Sequence, residues 1–83
     1  MDSIDNYNRI YWHSRRGMLE LDLVLMPFVE KFYRDLPEEG KTQYVRLLES
    51  EDQDMFQWFL RHKVPDDADI AAIVKLILEK TIG

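Results

Sequence analysis

The sequence predicts an all-α fold: a compact single-domain bundle of five helices with short connections, spanning residues 1–83. In successive segments apolar residues recur at three- and four-residue steps, the spacing that lines one side of a helix. Helix start and stop signals punctuate the gaps between those segments. No stretch shows the strict alternation of a half-buried strand or an Asn-Gly hairpin turn, and no internal repeat is visible.

Ile4 to Arg15 reads as the first helix, with Asp2 or Ser3 as its cap and Ile4, Tyr7, Ile10 and Tyr11 at helical spacing. Trp12 lies on or beside that stripe; core packing is its expected role, and an aromatic anchor at a partner surface is the alternative. His13 has no second ligand at metal spacing, so it reads as a surface or hydrogen-bonded residue.

Met18 to Tyr33 is the second and most apolar helix. Leu21, Val24 or Leu25, Phe28 and Phe32 form its stripe, and Leu23, Met26 and Val29 widen it, so this helix is expected at the centre with several neighbours. Pro27 cannot donate its amide, which predicts a kink or local break near Leu23 to Met26. Met26 reads as a gap filler in the core.

Pro37, Glu38 and Glu39 suit the first turn of a third helix running to about Glu49, with Tyr44, Leu47 and Leu48 facing inward. Gly40 within it should cost about 1 kcal/mol relative to alanine. Ser50 and Gln53 stand at capping-box spacing, so a short fourth helix is expected from there to about Arg61. Two of its aromatics must pack inside, leaving one for a partner. Val64-Pro65-Asp66-Asp67 stops it, and Asp66 or Asp67 caps a fifth helix carrying Ile70, Ile73, Val74, Ile77 and Leu78. Thr81-Ile82-Gly83 is expected to fray.

Composition narrows the function classes. With 46% hydrophobic residues in 83, the chain can close one core and has little to spare for an internal ligand cavity. The absence of cysteine excludes disulfides, thiolate metal sites and a cysteine nucleophile. No apolar run approaches the ~20 residues that span a bilayer, so no direct membrane insertion is expected. The acidic, polar start Met1-Asp2-Ser3-Ile4-Asp5 lacks the pattern of a signal or transit peptide, which favours a bacterial cytoplasm. A net charge of -5 argues against nucleic acid as a partner.

Between the first two helices lies the densest polar punctuation, Arg15-Arg16-Gly17-Met18-Leu19-Glu20-Leu21-Asp22. Gly17 can take the left-handed conformation where a helix ends and the chain reverses. Arg15 and Arg16 then complement one helix dipole, and Glu20 and Asp22 the other. That reading needs no partner. In the alternative, the corner presents a guanidinium and a carboxylate to another macromolecule, using the planar contacts that lysine cannot make. Catalysis finds little support: Glu20 and Asp22 stand two apart on a helix and point in different directions, and no nucleophile with a base, metal site or phosphate loop is evident. No catalytic or metal residue is therefore assigned.

The motif Arg16-Gly17-x-x-Glu20 resembles the signature of the SdhE-type FAD assembly factors, small proteins that promote covalent flavin attachment to the flavoprotein subunit of succinate dehydrogenase. The resemblance continues through Ile10-x-Trp12, Met26-Pro27-Phe28, Arg46-Leu47-Leu48-Glu49 and Asp52-x-Asp54-x-Phe56-x-Trp58, in the family's order and over nearly the whole chain. Leu36-Pro37-Glu38-Glu39-Gly40 departs from it, occupying a turn where a serine-type cap is expected. The resemblance implies an assembly factor or chaperone, not an enzyme. It implies binding to the succinate dehydrogenase flavoprotein, and in some bacteria the fumarate reductase one, and stabilising the conformation competent for flavin attachment.

It further implies that Arg16, Gly17 and Glu20 bind the partner, with Arg15 and Asp22 as secondary candidates. Arg16 is expected to face outward and make charge-assisted hydrogen bonds, Gly17 to allow close approach, and Glu20 to orient Arg16 or bond the partner. No cofactor is expected to be stably bound, FAD belonging to the partner. Two rivals follow: an antitoxin that neutralises a membrane-associated toxin, and a free FAD carrier. The sequence carries no dinucleotide fingerprint for the second.

Overall fold

The most apolar segment of the chain becomes the central helix. A computed structural model describes residues 4–81, with side chains from residue 6 onward. The order is α1 (Ile4–Ser14), α2 (Leu19–Lys31), a 3-10 turn (Tyr33–Asp35), α3 (Glu38–Leu48), α4 (Asp52–Phe59) and α5 (Ala68–Thr81). No strand occurs among the described residues. The radius of gyration, 11.7 Å, is about the ~12 Å of a folded chain of this length.

Helix α2 packs against α1, α4, α5 and the 3-10 turn, while α3 lies along α5 and meets α1. Leu25, Phe28 and Val29 of α2 are fully buried with Tyr44 and Leu47 of α3, Met55 of α4, and Ile73 and Ile77 of α5. Burying each such side chain contributes about 1.5–3 kcal/mol, which is what holds helices this short in place. Tyr44 sits between Phe28 and Tyr33, with ring centroids 5.6 and 5.5 Å away.

Several expectations need correction. Of the kink or local break expected near Leu23 to Met26, the break does not occur: α2 stays helical through Pro27, and the buried Leu25, Phe28 and Val29 on either side fasten both halves to the core. The helix expected to reach Tyr33 ends at Lys31, and a 3-10 turn over Tyr33–Asp35 carries the chain on. Helix α4 starts after Glu51, with no side-chain cap, so Ser50 and Gln53 form no capping box. Trp12 is 62% exposed and Leu23 66% exposed, so neither joins the core. Thr81 remains helical, its hydroxyl donating to the Ile77 carbonyl at 2.7 Å. The cap expected at Asp2 or Ser3 and the fraying expected at Ile82 and Gly83 lie outside the described residues.

Asp67, the second of the proposed caps, starts α5. Its Oδ1 accepts the backbone N–H groups of Asp69 at 2.8 Å and Ile70 at 3.1 Å. Arg46 of α3 pairs with both Asp67 and Asp69, tying the start of α5 to α3.

Candidate functional site

The corner between α1 and α2 is a braced elbow. Helix α1 stops at Ser14 and α2 begins at Leu19, and Gly17 between them has φ +80°. This is the left-handed region, which a residue with a Cβ enters only at a cost. Gly17 therefore makes the turn as expected, although it stands beyond the last helical residue by Arg15 and Arg16. The Arg16 backbone N–H donates to Asp22 Oδ1 at 2.8 Å. Asp22, in the first turn of α2, thus reaches back and pins the segment that leads into it.

The Arg16 guanidinium is spent on its own chain. Its Nε donates to Asp52 Oδ1 at 2.8 Å. Nη1 donates to the carbonyls of His13 at 3.2 Å and Leu48 at 2.9 Å, and Nη2 to that of Ser50 at 3.0 Å. The side chain is only 13% exposed. A fixed positive charge thus lies against the carbonyl ends of α1 and α3, where the helix dipoles favour it, and pairs with Asp52, whose carboxylate in turn suits the amide end of α4. This corrects the expected outward-facing Arg16. Its role in the geometry is to lock the elbow to the turn between α3 and α4, and Asp52 and Asp22 orient it, not Glu20.

The outer surface of the elbow belongs to other residues. Gly17 is exposed, and an added Cβ would meet nothing within 4 Å. Arg15 and Glu20 are exposed, and among the described residues Glu20 makes no ion pair. Asp22 is half-buried. Large apolar side chains flank the corner in sequence: Trp12 on α1, and Leu19 and Leu23 on α2, exposed at 62%, 68% and 66%.

These three were not anticipated as a set, yet the helical step contains the signal. At 3.6 residues per turn, Leu19 and Leu23 fall about 180° from the buried Leu21, Leu25 and Phe28, and Trp12 falls well away from the buried Ile10 and Ser14. Asp52 had no such signal, because its partner Arg16 is remote in sequence.

Beneath the elbow a buried polar contact ties α1 to α3. Ser14 is fully buried and donates to the Ile10 carbonyl at 2.7 Å. Its hydroxyl proton is thereby used, so the 2.7 Å contact with Tyr44 has the tyrosine hydroxyl donating to Ser14 Oγ. Burial pushes the Tyr44 phenol well above its ordinary range and keeps it neutral. Ser14 is thus a polar residue sealed at the end of α1.

No group of His, Cys, Asp or Glu among the described residues could hold a metal ion, and no described helix is long and apolar enough to cross a membrane.

The structure is a helical bundle whose braced corner exposes the Gly17 backbone and the Glu20 carboxylate. Comparison with known proteins gives the bundle a family. The family described as "Flavinator of succinate dehydrogenase" matches residues 8–81, and the chain belongs to it. The chain is 53% identical over 72 residues to the FAD assembly factor SdhE of Pseudomonas aeruginosa, covering 87% of this chain and 86% of that protein. It is 47% identical over 74 residues to the FAD assembly factor SdhE of Yersinia pseudotuberculosis, covering 89% and 84%. Among solved structures, a UPF0350 protein determined in solution superimposes with a TM-score of 0.80 at 40% identity, covering 99% of this chain and 87% of that one.

Proposed function

We propose that this protein binds the flavoprotein subunit of succinate dehydrogenase and promotes covalent attachment of FAD to it by stabilising the conformation competent for attachment. The flavin stays with the partner, and this chain contributes a surface, not a catalytic group. A binder achieves such an effect if it has higher affinity for the competent conformer than for the others. Fixing reacting groups in a near-attack arrangement contributes as much as ~7–11 kcal/mol in favourable cases. Membership of the flavinator family and the names of the relatives support the reading; fumarate reductase enters it as a second client by resemblance alone.

The observation that carries the assignment to the elbow is Gly17, exposed, at φ +80° and with open space above it. In this reading the partner's backbone approaches Gly17, Glu20 bonds the partner, and Arg15 adds a peripheral charge. Arg16 and Asp22 act as positioning residues that keep the elbow in shape. Trp12, Leu19 and Leu23 supply the apolar contact that a polar corner alone lacks, aromatic anchors being a usual source of interface energy.

The test is made in cells lacking the native factor, complemented with Gly17→Arg or Glu20→Ala and scored by in-gel flavin fluorescence of the denatured flavoprotein. Both variants are expected to lower covalent flavin at normal levels of the variant protein. Normal flavin fluorescence in both would remove the elbow from the interface.

A further inference from the structure

The end of α4 carries a backbone irregularity that the elbow does not account for. Arg61 has φ 64° and is the one non-glycine residue with positive φ among the described residues. Its N–H donates to the Trp58 carbonyl at 3.0 Å, and the His62 N–H donates to that of Gln57 at 3.0 Å. This is the paired closure of a helix whose left-handed position is usually glycine. An arginine there bears a cost that glycine would avoid. Its side chain lines a trough of about 500 Å³ between the end of α4, the following loop and α5.

The lining of that trough has a definite chemistry. Val64, Val74 and Leu78 supply apolar surface, and Arg61, Lys63 and Lys75 supply cations, with Glu79 the one carboxylate. No ion pair to those three cations occurs among the described residues. The stretch from Met55 to Pro65 contains no Asp or Glu, in a chain with 16 of them and a net charge of -5. The trough is thus a local basic and apolar site on an acidic protein.

We propose that this trough docks a short apolar peptide segment flanked by carboxylates, contributed by a partner protein. Charge complementarity selects an acidic ligand. Exposed apolar surface at and beside the lip, Val64 at 81% and Leu60 at 46%, calls for a ligand broad enough to cover it, which a peptide is and a small amphiphile is not. Apolar anchors set the affinity, and the cations set orientation and exclude basic segments. The inference goes beyond the flavoprotein reading and shares no residue with the elbow, so either can fail alone.

The probe is a fluorescein-labelled peptide, Asp-Leu-Phe-Glu-Leu-Leu-Asp, with a counterpart carrying lysine at each acidic position. Polarisation should show saturable binding of the acidic peptide only, weakened about fivefold or more by Arg61→Gly or Lys75→Glu. Because glycine fits φ 64°, Arg61→Gly should melt no lower than the parent, which separates loss of binding from loss of fold. Amide and indole shifts should cluster at Trp58, Val64, Val74 and Lys75. Several results would overturn the proposal: no saturation, equal binding of both peptides, shifts elsewhere, or affinity unchanged in both variants. Preferential binding to phosphatidylglycerol vesicles, or self-association that closes the trough, would overturn it as well.

Discussion

Arg16 has five N–H donors on a planar, positively charged fork, and the structure uses four of those donors within the chain. Arg16→Ala leaves the carbonyls of Leu48 and Ser50 and the Asp52 carboxylate without this partner, and should lower unfolding free energy by about 2–4 kcal/mol. Arg16→Lys should recover only part, since a compact ammonium cannot reproduce the fork of the guanidinium. Urea denaturation reads both. Glu20→Ala, by contrast, removes an exposed carboxylate and should stay within about 0.5 kcal/mol of the parent. Two residues of one short motif are thus distinguishable by stability: Arg16 braces the fold and Glu20 does not.

Among the elements, α5 is fixed at its start by Asp67 and α3 by its inner face. The Ile70 backbone N–H, then the Asp69 N–H and the Arg46 guanidinium, hold the Asp67 carboxyl below its ordinary value of 3.8 against an opposing contribution from desolvation. A folded value below the unfolded one gives stability that is present above the unfolded value and lost as pH falls through the folded one. The urea midpoint should therefore fall on acidification from about pH 5 to about pH 3, and Asp67→Asn, which keeps a capping side chain, should flatten that fall. Gly40 in α3 offers the opposite sign. A Cβ there would stand 3.4 Å from Leu36 Cβ and 3.5 Å from Pro37 Cδ, ordinary contact distances. Gly40→Ala should raise stability by about 0.5–1 kcal/mol, seen as a higher urea midpoint at unchanged slope.

At the scale of the whole molecule, periodicity made the helices legible, because Leu21, Leu25 and Phe28, or Ile73, Val74 and Ile77, can be buried together only on a helix. The Gly17 turn was legible for the same kind of local reason. What escaped was non-local: Arg16 looked like a surface charge because Asp52, Leu48 and Ser50 are remote in sequence. The burial of Ser14 was hidden in the same way, because its Tyr44 partner lies on another helix. Trp12 and Leu23 were misplaced for a different reason, apolar character having been weighed above angular position on the helix. Local chemistry fixed the elements, and the long-range hydrogen bonds decided which charges were free to meet a partner.

The account depends on the exposed side of the elbow, held in shape from beneath, being what the flavoprotein grips. Isothermal calorimetry of the purified protein with the isolated flavoprotein subunit of succinate dehydrogenase tests this directly, using the parent, Glu20→Ala and Gly17→Arg at matched helicity. The account predicts saturable binding by the parent, weakened about tenfold or more in each folded variant. Equal affinity across all three would contradict it.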